Sequence, residues 1–93
     1  MSVIIYCIED INELIYIGYT TKSLNIILNK HKRKRKPCSS SILDLNNCSI
    51  YKLEECNKKY ARSRKYYWIY ESYNNKLKCV NIKSMIIKNN ILI

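Results

Sequence analysis

The sequence predicts an α+β fold: a small three-stranded antiparallel sheet with helices packed on it, in the order β-β-α-α-β-α. Three observations predict it. Two runs rich in β-branched residues, Val3–Ile8 and Leu14–Gly18, flank the polar stretch Glu9–Glu13. Two longer stretches, Ser23–Lys32 and Asn57–Tyr73, carry apolar residues at helical spacing. A third β-rich run, Ser49–Glu54, falls between those helices, so strands and helices do not alternate strictly.

The first two runs form a hairpin, with Asp10 and Asn12 in the polar turn between them. Ser23 then caps the first helix, on which Leu24, Ile27, Leu28 and His31 share one face. The basic run Lys30–Lys36 ends at Pro37, which lacks the amide a helix needs to continue. Ser39–Ser41 supply caps for a short second helix through Ile42, Leu43 and Leu45. After the strand at Ser49–Glu54, Asn57 opens the longest helix. Ala61, Trp68 and Ser72 lie on one stripe of it, with Tyr60, Tyr67 and Tyr70 close by. Val80–Ile82 adds a short extended segment.

The chain has 93 residues, enough for one domain spanning 1–93 with a core near the small end of what folds unaided. A hydrophobic content of 47% sets wholesale disorder aside. Met1–Ile8 is apolar but has no basic leader, and Ile86–Ile93 is short and interrupted by Lys88, Asn89 and Asn90. Neither reads as a signal peptide or a membrane span. A soluble intracellular protein of cytoplasm or nucleus is expected. Seventeen Lys and Arg against seven Asp and Glu give a formal charge of +10, which attracts polyanions. DNA is the first expectation and RNA the second. No basic amphipathic helix with a broad apolar face suggests a membrane surface. The five cysteines (Cys7, Cys38, Cys48, Cys56 and Cys79) include no C-x-x-C pair, and there is one histidine. Free thiols in a reducing compartment fit this better than a zinc site. The abundance of Ile, Asn and Lys points to an AT-rich, viral type of genome.

The hairpin carries Ile4-Ile5-Tyr6 and, ten residues after that tyrosine, Tyr16-Ile17-Gly18. Gly18 is the only glycine in the chain. Thr20, Leu24 and His31 follow it at offsets of two, six and thirteen. Farther on come Ser39-Ser40-Ser41-Ile42-Leu43, Leu53-Glu54-Glu55-Cys56, Arg64-Lys65-Tyr66-Tyr67-Trp68-Ile69 and Cys79-Val80-Asn81-Ile82. In this order and at these separations the segments resemble the GIY-YIG endonucleases, in particular their giant-virus and phage branch. The likeness covers about residues 3–83 and leaves 84–93 as a C-terminal tail.

The resemblance implies hydrolysis of phosphodiester bonds with one divalent ion, usually Mg2+, held by a glutamate on the long helix. It matches Tyr6 and Tyr16 to the family's two tyrosines, His31 to its histidine and Asn81 to its late asparagine. Two matched positions are substituted. Ile27 stands at the place of the arginine that stabilises charge on the phosphate, and Lys65 at that of the metal-binding glutamate. An ammonium offers no lone pair to a hard cation. At about 4 Å and an effective dielectric near 20, it also turns an attraction for a dication of at most ~8 kcal/mol into a repulsion of that size. No cofactor is therefore expected for the chain as it stands, and Mg2+ only if it cuts.

Three readings follow: a catalytically impaired domain that binds nucleic acid, an active endonuclease with an unorthodox site, and a protein-interaction module. Under the first, Lys30, Lys32, Arg33, Lys34, Arg35 and Lys36 contact phosphates, and Arg62 and Arg64 add to a groove with the neighbouring aromatic residues. A solvated helix end is the competing account of the basic run. Tyr6 and Tyr16 taken singly would be core-packing strand tyrosines, and the stem of Lys65 would cover apolar surface.

Overall fold

The computed structural model describes residues 1–33, 43–74 and 78–81. Strand β1 (Ser2–Asp10) turns into β2 (Leu14–Thr20), and helix α1 (Leu24–Arg33) follows. Strand β3 (Cys48–Asn57) leads through a 3-10 turn (Lys58–Tyr60) into helix α2 (Ala61–Asn74), and a two-residue strand β4 (Lys78–Cys79) closes the order. The sheet runs β3-β1-β2-β4; β1 is antiparallel to both neighbours, and β4 adds to β2 in parallel. The predicted α+β class and three-stranded antiparallel sheet are present.

Apolar residues on both faces explain why β1 and β2 read as nearly continuous hydrophobic runs rather than alternating ones. Odd-numbered side chains Val3, Ile5, Cys7, Ile15 and Ile17 pack with Ala61 and Ile69 of α2. Even-numbered Tyr6 and Ile8 pack on the other face with Leu43, bordered by Leu24, Ile27 and Leu28 of α1. Helix α1 therefore lies on one face of the sheet and α2 on the other.

The hairpin turn has three residues between the strands. Glu13 takes the left-handed conformation at φ 66°, where a glycine would be less strained. Asp10 holds it there. Its Oδ1 accepts from the amides of Asn12 (2.9 Å) and Leu14 (3.0 Å), and its Oδ2 accepts from the amide of Asp44 (2.8 Å). One buried carboxylate thus ties the turn to the segment entering β3.

A second tie joins β3 to α2. The guanidinium of Arg64 donates to both oxygens of Glu54, Trp68 Nε1 donates to Glu54 Oε1 (2.9 Å), and Arg64 stacks 4.1 Å from the Tyr67 ring centre. Both carboxyls sit below their ordinary pKa. Burial pushes Asp10 up, but its three backbone amides outweigh that. Arg64 dominates at Glu54, with burial opposing it and Trp68 assisting. A group whose folded pKa is depressed stabilises the fold above its unfolded value and loses that contribution as pH falls through the folded one. The melting temperature should be flat from neutrality to about pH 5 and fall below about pH 4. Asp10→Asn and Glu54→Gln should each remove part of that acid dependence in a thermal-melt series.

Several sequence expectations are corrected. The second helix does not extend through Leu43 and Leu45, because residues 43–47 form a bend and a turn; its Ser39–Ile42 portion lies outside the described residues. Leu43 is buried all the same, as a plug beneath the even-numbered face. Strand β3 is longer than Ser49–Glu54 at both ends. The late extended segment sits at Lys78–Cys79 rather than Val80–Ile82, and Ile82 is outside the described residues. On α2 the most deeply buried apolar side chain is Ile69, while Trp68 is half-buried. The helix does open as expected: Asn57 caps the preceding 3-10 turn, its side chain accepting from the Lys59 amide at 3.0 Å.

Four cysteines are free thiols: Cys7 and Cys79 buried, Cys48 and Cys56 half-buried; Cys38 lies outside the described residues. Burial pushes the Cys7 thiol up to about 11, which makes it a packing group rather than a nucleophile. Among the described residues no helix is long and apolar enough to cross a membrane.

Candidate functional site

The hairpin register explains the ten-residue spacing of the two tyrosines. Tyr6 lies opposite Gly18, and Tyr16 lies opposite Ile8. The tyrosines are therefore diagonal neighbours on one face, with ring centres 6.4 Å apart. His31 projects from the last turn of α1 onto the same face. Its Nε2 shares a 2.8 Å hydrogen bond with the Tyr6 hydroxyl, and its ring meets Tyr16 edge-on at 5.2 Å. Tyr6 and His31 are only 4% and 7% exposed, so the bond is shielded from water.

Gly18 makes this arrangement possible. A Cβ at position 18 would lie 2.5 Å from the Tyr6 hydroxyl oxygen and 2.6 Å from the ring carbon that bears it. The glycine is required for a close approach, since its φ is not positive. Opposite it, a bulge interrupts β3: Ile5 faces Glu54 and Tyr6 faces Lys52, which leaves Leu53 as an extra residue. Such bulges twist a strand locally and re-aim nearby side chains. Tyr6 is thus held between a bulge, a glycine and a histidine.

Asn81 has a different task. Its Oδ1 accepts from the Ile17 amide (2.8 Å), and its Nδ2 donates to the Ile17 carbonyl (3.0 Å). The side-chain amide acts as a substitute peptide unit. It continues the pairing begun by β4 and by the bond from Val80 N to the Ile15 carbonyl (2.8 Å). The late asparagine clamps the strand that carries Tyr16 and Gly18.

The two substituted positions lie apart. Ile27 is half-buried beside the tyrosine cluster. Lys65 is half-buried on α2, the helix that packs on the opposite face, and forms no hydrogen bond or ion pair with a described residue. Of the basic residues, Lys30, Lys32 and Arg33 line the last turn of α1, where cations also complement the helix dipole. Lys34, Arg35 and Lys36 lie outside the described residues. Arg62 is exposed, with its guanidinium 5.9 Å from the Tyr66 ring centre. Arg64, expected in the groove, has its guanidinium engaged by Glu54 and Tyr67.

No family model, curated protein or solved structure matches the chain.

A magnesium site would need converging oxygen donors. The Glu54 carboxylate is held by Arg64 and Trp68, the Asp10 oxygens accept three backbone amides, and position 65 offers an ammonium. Among the described residues no three His, Cys, Asp or Glu are placed to hold a metal ion. Position 65, which the resemblance matches to the metal-binding glutamate, offers magnesium no oxygen ligand.

Sequence reasoning missed two features. The Asp10 clamp has a faint local signal in the Asp-x-Asn turn. The convergence of Lys22 and Lys58 on one cleft has none, because the two stand far apart in the chain.

Proposed function

We propose that this chain is a DNA-binding domain of GIY-YIG type whose hydrolytic site is idle. The observation that carries the reading is the Tyr6–His31–Tyr16 cluster. Residues chosen from their motif positions alone meet on one face of the sheet, around the chain's only glycine. Asn81 supports it from the edge by fixing the backbone of the Tyr16-Ile17-Gly18 strand.

The cluster can exchange a proton between a phenol and an imidazole. Phosphodiester hydrolysis demands more: charge developing on the phosphate must be met by a cation or a strong donor. Ile27 donates nothing, Lys65 repels a dication, and its helix packs on the far face. Losing one such donor typically costs about 3–4 kcal/mol in the transition state, and here two positions are altered. Binding survives these losses, because backbone affinity rests on net positive charge rather than on the reacting centre.

A gel-shift titration across a salt series tests the reading. If about four phosphates are neutralised, the binding constant should fall with a log–log slope near −4, with little dependence on base sequence. A parallel RNA titration should show weaker binding. No shift for DNA at low salt would remove the proposal.

A further inference from the structure

The 3-10 turn and the first half of α2 interleave cations with aromatic rings. Lys58, Lys59, Arg62, Arg64 and Lys65 all lie between positions 58 and 65, and no acidic residue follows before Glu71. An acidic side chain suits the first turn of a helix, and neither element has one there. The charge of this segment therefore opposes the helix dipole and suits an external polyanion.

Two tyrosines face solvent along the same stretch. Tyr60 is 52% exposed and Tyr67 43%. Two helical turns bring them to one side, with Arg64 between them. The Lys59 ammonium lies 5.1 Å from the Tyr60 ring centre. The Arg64 guanidinium lies 4.1 Å from the Tyr67 ring centre and is itself held by Glu54. Trp68 packs edge-on with Tyr67, ring centres 5.5 Å apart. Tyr67 is thus oriented before any partner arrives, and a rigid exposed ring loses little freedom on binding.

We propose that this face of α2 is a stacking platform for single-stranded DNA, with bases on Tyr60 and Tyr67 and phosphates near Lys59 and Arg62. An exposed ring attracts the flat face of a nucleobase, and cations beside it attract the backbone that joins one base to the next. Duplex DNA offers the cations the same phosphates but hides its base faces within the stack. Spacing selects in the same direction. At 1.5 Å per residue the two tyrosines stand about 10 Å apart along the axis, roughly three times the 3.4 Å step of a duplex strand. Only bases splayed apart can meet both rings. The inference rests on the DNA-binding reading for the polyanion and adds the form of the strand and the face that holds it.

The experiment titrates a mixed-sequence single strand, and a blunt duplex of the same sequence, at one salt concentration. Tyrosine ring resonances are followed in the wild-type protein, so this readout stands whatever a variant does to folding. The single strand should bind about tenfold more tightly than the duplex. It should shift the rings of Tyr60 and Tyr67 but not that of Tyr19, which is exposed on β2. Tyr60→Ala/Tyr67→Ala should weaken single-strand binding at least about tenfold and change duplex affinity by less than about twofold. Tyr60→Phe/Tyr67→Phe keeps both rings and should bind as the wild type does. Equal affinity for strand and duplex would overturn the platform while leaving DNA binding intact. So would an equal loss for both DNAs in the alanine variant, a phenylalanine variant as weak as the alanine one, or single-strand binding that leaves both rings unshifted. Absence of binding to either DNA would remove both readings.

Discussion

Replacing Gly18 with alanine should destabilise the protein by about 2–3 kcal/mol, the upper part of the range for forcing one extra carbon into a packed core. The new methyl would lie within 2.6 Å of two atoms of Tyr6, well inside van der Waals contact. Tyr6 is buried and bound to His31, so its ring cannot swing away without breaking that bond. For a chain of this size the melting temperature should drop by roughly 10 °C or more. The measurement is a double-mutant cycle. In a Tyr6→Leu background, Gly18→Ala should be nearly neutral, which gives a coupling energy of at least about 1 kcal/mol. Additive effects would show that the glycine serves some purpose other than the close approach of Tyr6.

Asn81→Ala should cost about 2–4 kcal/mol. It removes both partners of the Ile17 peptide groups, which lie in the buried centre of the sheet. An orphaned backbone donor or acceptor costs about 1–3 kcal/mol, and two are exposed at once. The Cys79 thiol, which donates to Asn81 Oδ1 at 3.4 Å, loses its acceptor as well. Asn81→Asp should be nearly as severe, since it keeps the acceptor but loses the donor and buries a charge. Hydrogen exchange at the Ile17 amide reads the effect directly: slow in the wild type, and accelerated in Asn81→Ala by more than the global destabilisation explains. An unchanged rate would mean that another group serves that amide.

These positions also show what could be read from the sequence. The hairpin, the first helix and the long helix were visible because Val3–Ile8, Leu14–Gly18 and the Leu24–His31 face repeat at strand and helix periods. The tyrosine–histidine cluster was visible only through motif spacing. Periodicity alone puts Tyr6 among core residues, and indeed it is buried. The full length of β3 was hidden because the extra Leu53 at the bulge puts Leu53 and Glu54 out of phase with the residues before them. The two residues of β4 are too few to form a pattern, and their pairing is completed by a side chain that no propensity scale counts as a strand. The Arg64–Glu54–Trp68 tie crosses from strand to helix, so its partners carry no local mark. For that reason the sequence assigns Arg64 to a nucleic-acid groove rather than to this tie.

Under the proposed function, binding and cutting come apart for a physical reason. Attraction to a polyanion needs only an excess of positive charge, and the sequence has it. Cleavage needs donors fixed near one phosphate; Ile27 beside the tyrosine cluster donates nothing, and Lys65 offers a dication no oxygen ligand.

The most direct measurement is conversion of supercoiled plasmid by the wild-type protein, at concentrations where a gel shift shows the DNA to be saturated, with Mg2+, with Mn2+ and with EDTA. The account predicts bound and fully supercoiled DNA in all three. Nicked or linear product that forms with Mg2+ and is stopped by EDTA would contradict it.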